Sequence, residues 1–142
     1  MAAISTEAKI VEALYRHLNA LVFSPPLPIA WTNVAFTPPA DGAGKPKPYL
    51  RATSLRSPNG RPTITRSVRY AGLFQVDVYW PLAAGEQAAR DIAGAIAGHF
   101  DNTRLRNGAL TICVDERPTD GPSLIEGPMM QIPVTVRWYA LA

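Results

Sequence analysis

The side chains that could perform chemistry are few and scattered along this 142-residue chain. It has two histidines, His17 and His99, and a single cysteine, Cys113, so an intrachain disulfide is impossible. The spacings typical of zinc sites, phosphate-binding loops, dinucleotide-binding loops and nucleophilic serines are all absent. Asp115 and Glu116 are adjacent at a predicted strand end and would point to opposite faces, which argues against joint acid–base work. We therefore predict no catalytic, cofactor-binding or metal-binding residue, no cofactor, and a protein that is not an enzyme.

Three of these polar residues are assigned structural roles instead. Cys113 lies in an apolar alternation and is predicted to behave as a small hydrophobic side chain. His99 falls at the end of a predicted helix, where the helix dipole favours a cation. Asp77 is a single acid on a strand whose other face is apolar, so we expect it to pair with a cross-strand arginine such as Arg51 or Arg137.

The charges of the chain, which sum to +3, are unevenly distributed. No acid occurs between Asp41 and Asp77, a stretch rich in lysine and arginine, whereas acids outnumber Arg117 near the other end. Opposite charges on one small chain allow head-to-tail contacts between copies, or contacts with a neighbouring protein. For any single arginine a solvated side chain is the simpler interpretation; for the whole segment we favour an interaction role. The candidate interface residues are Lys45, Lys47, Arg56, Arg61, Arg66, Arg69, Asp115, Glu116, Asp120 and Glu126.

A small basic nucleic-acid-binding domain is the alternative from a different class. The basic segment includes Tyr49 and Tyr70, and a basic loop beside exposed aromatic side chains can bind single strands. However, Phe74, Trp80 and Trp138 fall on the strand faces that the alternation assigns to the core.

Composition and length indicate one folded domain over residues 1–142. Hydrophobic residues make up 47% of the chain and charged residues 18%, which argues against a disordered protein. No apolar run approaches the roughly 20 residues that span a bilayer. Residues 1–24 carry charges throughout, so we expect no signal peptide and synthesis in the cytoplasm.

Local periodicity predicts the elements. Residues 73–80 alternate as a strand that ends at Pro81, and apolar residues at helical spacing follow from Ala89 to Phe100. Ser5 is predicted to cap a first helix whose buried stripe is Ala8, Val11, Tyr15, Leu18 and Val22.

Further strands are predicted at 49–55, 110–115 and 129–139, with a proline-interrupted extended run at 29–31. The predicted fold class is α+β: two helices packed on one face of a mostly antiparallel sheet of about five strands. Residues 56–69 form either a projecting basic hairpin arm or a disordered loop, and we expect them to become ordered on assembly.

Several segments, taken in order, resemble one family. They are WTNVAFTPP at 31–39, PYLRATSL at 48–55, RYAGLFQVDVYWP at 69–81, ARDIAGAIAGHF at 89–100 and PVTVRWYA at 133–140. This combination resembles the tail terminator-like proteins of long-tailed bacteriophages and of related prophage or gene transfer agent particles. The resemblance covers nearly the whole chain.

The resemblance implies a structural virion protein without catalysis, located in the tail at its neck-proximal end. Such proteins form a ring, typically a hexamer, on the last ring of the tail tube, stop its polymerisation and present the surface for head-to-tail joining. The implied partners are other copies of the chain, the major tail-tube protein, a head-completion or connector protein, and DNA passing non-specifically through the lumen, but no membrane. Another neck or tail-completion protein of similar fold is the alternative within this class.

Overall fold

The computed structural model describes residues 3–61 and 67–142. Within these ranges the chain forms two helices and eight strands. In chain order they are α1 (Thr6–Ala20), β1 (Ile29–Ala30), β2 (Tyr49–Arg56), β3 (Arg69–Pro81), α2 (Gln87–Phe100), β4 (Thr103–Asn107), β5 (Leu110–Val114), β6 (Thr119–Asp120), β7 (Leu124–Glu126) and β8 (Met129–Leu141).

The strands form one mixed, curled sheet in the order β1-β2-β3-β8-β5-β4, with β6 and β7 also paired to β8. The first pair, β1 with β2, is parallel, and the other pairs are antiparallel. The prediction of about five strands in a mostly antiparallel sheet is therefore wrong. The strands that were not predicted are β4, β6 and β7. Strands β6 and β7 have only two or three residues and β4 has five, too few to produce a clear alternation in the sequence.

Both helices pack on the same face of the sheet, and the core lies between them and that face. The Phe74 ring of β3 lies 5.9 Å from the Tyr15 ring of α1 and 5.8 Å from the Phe100 ring of α2, measured between centroids. Phe74, Val76 and Val78 are all 0% exposed, as the alternation predicted. We call this the helix-covered face, and the other side of the same strands the open face.

The first helix begins as predicted, but it buries a partly different stripe. The Ser5 hydroxyl accepts a hydrogen bond from the Ala8 amide at 3.2 Å and caps α1. The predicted stripe is only partly correct: Leu18 is buried and Tyr15 packs against the core, but Ala8 is exposed and Val22, beyond the helix end, is 83% exposed. Two overlapping apolar stripes fit the helical period, and packing selects the one that buries more aliphatic surface. The buried residues of α1 are Ile10, Ala13, Leu14 and Leu18.

The two ends of the 56–69 segment continue the hairpin formed by β2 and β3. The Ser57 amide donates to the Ala71 carbonyl at 3.0 Å, and a bridge joins Gly60 to Arg69. The tip of the predicted arm, residues 62–66, lies outside the described residues.

Candidate assembly surfaces

The described basic candidate residues are exposed, and two of them are held by aromatic rings. The Arg56 guanidinium lies 5.5 Å from the Tyr70 ring centroid and 5.8 Å from that of Trp138, and it donates to the Asn59 amide oxygen at 2.7 Å. Arg69 lies 5.4 Å above the Tyr139 ring. These cation–π contacts fix the direction of two guanidinium groups that would otherwise move freely in water. Lys45, Lys47 and Arg61 are exposed in loops, and Arg66 lies outside the described residues.

Most of the acidic candidate residues already have partners inside the chain. Asp115 forms an ion pair with Arg104 of β4 at 2.7 Å. Its hydrogen bond with the Tyr139 hydroxyl raises the pKa of that phenol above its ordinary value. Glu126 accepts a hydrogen bond from the Tyr79 hydroxyl at 3.2 Å. Asp120 is paired with Arg90 at 2.8 Å, and Glu116 is exposed.

The basic and acidic segments meet at two places within one chain. Gly44, Pro46 and Glu126 line the same cavity of about 280 Å³, so the loop that carries Lys45 and Lys47 borders the acidic segment. At the other end of the sheet, Arg69 and Asp115 both contact Tyr139. The two segments therefore partly neutralise each other's field inside one molecule.

Arg90 of α2 joins the helix to the β6–β7 segment, a contact that the sequence did not reveal. Its guanidinium donates to the Asp120 carboxylate at 2.8 Å, the Gly121 carbonyl at 2.7 Å and the Ser123 hydroxyl at 3.2 Å. It also pairs with Glu86 at 3.1 Å. Two hydrogen bonds lower the pKa of the Glu86 carboxyl; the larger effect comes from Ser123 and the smaller one from Arg90. This network fixes the path of the chain that leads into β7.

Strand β7 is an edge strand with two exposed aliphatic side chains. Its pairing partner is β8, and Leu124 is 49% and Ile125 76% exposed. Proteins usually protect such edges with charges, bulges or a covering element, because a bare edge pairs with other chains. One feature of the sequence could have indicated this strand: two aliphatic residues lie between Gly121-Pro122 and Gly127-Pro128 in an otherwise polar loop.

The two histidines, separated by 82 residues in the chain, contact each other where the two helices meet. Their rings stack with centroids 3.8 Å apart. The Nε2 of His17 lies 2.7 Å from the His99 carbonyl oxygen, and the Nε2 of His99 lies 2.6 Å from the His17 carbonyl oxygen. Because a carbonyl only accepts, each Nε2 carries the donated hydrogen. Burial lowers the pKa of His17.

The prediction that Asp77 pairs with a cross-strand arginine is only half correct. Asp77 is 4% exposed, and its carboxylate accepts a hydrogen bond from the Gln75 amide at 2.8 Å. Arg51 is its cross-strand neighbour, but the Arg51 guanidinium lies 4.9 Å above the Tyr79 ring. Cys113 is half-buried opposite Tyr139, as a structural thiol would be.

Two further features of the described chain bear on function. No group of three or more His, Cys, Asp or Glu side chains within residues 3–61 and 67–142 is arranged to hold a metal ion. No helix in those ranges is long and apolar enough to cross a membrane. The aromatic residues assigned to the core lie there or at its margin: Phe74 and Trp138 are buried and Trp80 is half-buried, so none of these three offers an open stacking platform.

A family model for the phage tail terminator protein matches residues 9–138 of the chain. The chain belongs to the phage tail terminator family. The resemblance seen in the ordered segments is thereby confirmed. The protein is accordingly a structural component of the phage tail and of the virion, from a family that is not known for enzymatic activity.

Solved structures support the fold of this terminator-family chain. One solved chain is 26% identical and superposes with a TM-score of 0.75 over 99% of this chain and 97% of that chain. A second, from the virion of a native gene transfer agent particle, is 15% identical with a TM-score of 0.63 over 99% of this chain and 100% of that chain. No curated protein matches the chain.

Membership of the terminator family indicates assembly with other phage tail proteins. The described chain offers three candidate surfaces: the charged ends of the sheet, the β7 edge and the open face.

Proposed function

We propose that the protein assembles as a ring, hexameric in our expectation, on the last ring of the tail tube. There it stops polymerisation and presents the surface to which the head side joins. Family membership supports this proposal, and the observation that carries it is the bare edge of β7. A ring of identical subunits needs two different surfaces that complement each other, so that the contact closes by rotation.

The β7 edge is suited to be one of these two surfaces. Ile125 and Leu124 project from a strand whose outer backbone groups have no strand beside them among the described residues. Burial of both side chains against a neighbour would stabilise the contact by about 2–4 kcal/mol. The Arg90 network fixes the loop before β7 and so reduces the entropy lost on docking.

An apolar groove between α2, the end of β3 and the segments before β1 and β2 is suited to be the other surface. It has a volume of about 390 Å³, and its walls include Phe23, Leu27, Trp80 and Ile92. Lys47 lies at the groove and Glu126 ends β7, so a docked pair of copies would bring opposite charges together.

The charged candidate residues are proposed to select and orient partners around this contact. Charges at the rim of an interface mainly affect association rate and specificity. We assign them to contacts with the next copy, the major tail-tube protein or a head-completion protein. A basic side chain that faces the lumen would instead meet DNA phosphates without sequence preference. The residues are Lys45, Lys47, Arg56, Arg61, Arg66, Arg69, Asp115, Glu116, Asp120 and Glu126.

The test uses a phage or prophage from which the gene has been deleted, complemented with variants and examined by electron microscopy. We expect the deletion to give over-long tubes without heads. Ile125→Glu should reproduce this defect, whereas the matched control Ile4→Glu, which places the same charge at a similarly exposed isoleucine, should restore normal tails. Tails of normal length joined to heads in the deletion strain would refute the proposed function.

A crosslinking experiment locates the contact. In a Cys113→Ser background, a mixture of Ile125→Cys copies and Lys47→Cys copies should give disulfide-linked pairs of copies on tube ends, while a mixture of Ile4→Cys copies and Lys47→Cys copies should not. Equal crosslinking by both mixtures would reject the β7–groove contact.

A further inference from the structure

The open face of the sheet carries exposed arginines on four different strands. Register fixes the face, because residues paired directly across antiparallel strands point to the same side. Leu73 of β3 is paired with Leu55 of β2 on one side and with Arg137 of β8 on the other. The same register places further exposed arginines on this face: Arg51 of β2, Arg69 of β3, and Arg104 and Arg106 of β4.

The carboxylates on this face are fewer than the arginines and leave it with a net positive charge. Asp115 is paired with Arg104, and the buried Asp77 accepts from Gln75. Arg51 and Arg69 lie over tyrosine rings, which carry no charge. Glu126, which the register of β7 and β8 places on this face, accepts from Tyr79. Five exposed guanidinium groups against two exposed carboxylates and one buried carboxylate leave a net positive surface, which favours an acidic partner.

Aliphatic side chains lie among the arginines. Leu55 is 46% and Leu141 55% exposed, and Leu73 is half-buried between Leu55 and Arg137. Arginine and tyrosine are enriched at protein interfaces, and the exposed leucines beside them add apolar area that a protein partner can bury. A surface for phosphate backbones is polar and gains nothing from leucine.

A second copy of this chain is a poor source of the acidic surface, because most of its carboxylates are already engaged. Asp101 pairs with Arg117 at 3.5 Å, and Glu12 accepts from Asn107 at 2.8 Å. Asp120 and Glu86 share Arg90, and Glu126 accepts from Tyr79. The partner is therefore a different protein.

We propose that the open face docks on an acidic, partly apolar surface of another protein of the particle. This inference rests on the proposed function, since it assigns a partner to a subunit placed between tube and head. The ring contact through β7 lies at the sheet edge, so the open face remains available after the ring has closed.

The experiment compares two variants with the same change in net charge. Arg106→Glu with Arg137→Glu reverses two arginines of the open face. Arg16→Glu with Arg117→Glu reverses two exposed arginines elsewhere, on α1 and in the loop after β5. The probes are unterminated tubes and unjoined heads purified from the deletion strain, and binding is measured by co-sedimentation at low and at high salt.

We expect the open-face variant to bind tubes or heads about tenfold more weakly than the control variant. Wild-type binding should weaken with salt, and melting and crosslinking through β7 should match the wild type. Arg106→Gln with Arg137→Gln should lose binding to an intermediate extent. This milder variant tests the inference if the charge-reversal variant does not fold.

Three outcomes would overturn the inference. The open-face variant could bind both probes like the control, it could lose retention on DNA while protein binding stays unchanged, or it could lose the crosslinks between copies. The first two leave the proposed function intact, because that function fails only if the deletion strain makes normal joined tails.

Discussion

The two faces of strand β3 differ although their residues alternate along one segment: two helices cover one face, whereas the other is open at Leu73 and Gln75 and is buried only at Asp77 and Tyr79. On the helix-covered face Phe74, Val76 and Val78 are fully buried. On the open face Leu73 and Gln75 are half-buried and have arginine, threonine and leucine beside them on β2 and β8. The comparison teaches that the helix-covered face supplies most of the folding free energy, which leaves the open face available for recognition.

The largest expected effect comes from truncating one residue on each face. Phe74→Ala should lower the free energy of unfolding by about 3–5 kcal/mol, because it removes a ring packed between Tyr15 and Phe100. Leu73→Ala, one residue earlier on the open face, should cost about 1 kcal/mol. Chemical denaturation measures both, and similar losses would contradict the assignment of the two faces.

Two glycines sharpen the comparison on the helix-covered side. A Cβ at Gly72 would collide with the Leu55 carbonyl oxygen and come within 2.9 Å of the Trp138 ring. Gly72→Ala should therefore destabilise the protein by about 1–3 kcal/mol. Gly94 of α2 has open space around it, so Gly94→Ala should stabilise the protein by about 0.5–1 kcal/mol. Thermal unfolding of the pair should show opposite signs, and equal signs would be inconsistent with this packing.

His17, where the two helices meet, makes the stability of the helix-covered side depend on pH. Burial lowers the pKa of His17, so the unfolded chain takes up this proton at a higher pH than the folded chain does. Stability from this group is complete above about pH 6.5 and falls as the pH drops below that value. Denaturant unfolding between about pH 8 and about pH 5 should show the decline, and His17→Gln should flatten it. A stability that rises toward acid would disprove the assignment.

The smallest effect concerns the link from the helices to the β7 edge. Arg90→Ala removes the bonds to Asp120, Gly121 and Ser123, and amide exchange in β6 should accelerate by roughly threefold to tenfold. Arg137→Ala, the same truncation on the open face, should leave these amides unchanged. Hydrogen exchange followed by mass spectrometry measures both, and unchanged exchange in the Arg90 variant would show that the network does not hold the edge.

The elements that the sequence predicted well are those with a long local pattern. Residues 69–81 and 87–100 have enough alternation or helical spacing to define a buried face without any neighbour. The short strands lack such a pattern. In α1 two overlapping apolar stripes fit the helical period, so the pattern alone does not define the buried stripe. For these elements the choice depends on what packs against them.

The candidate interface residues were predicted from charge alone. In the structure some of these charges lie close to opposite charges of the same chain. The sequence separates a basic from an acidic segment, but folding brings Arg69 and Asp115 to one tyrosine and places Glu126 beside the loop of Lys45 and Lys47. The sequence does not show that three arginines of β4 and β8 share one face, because β4 and β8 lie far apart in the chain. They are Arg104, Arg106 and Arg137.

The sequence by itself determined the main strand, the second helix and the family, because each is written in contiguous residues whose local geometry does not depend on the rest of the chain. Only the tertiary structure decided which charges neutralise each other, that His17 and His99 stack, that β7 is left as a bare edge, and that arginines from four strands share one face. These features arise from pairing across the sheet and between helices, where the partners are set by packing of the whole core and not by distance along the chain.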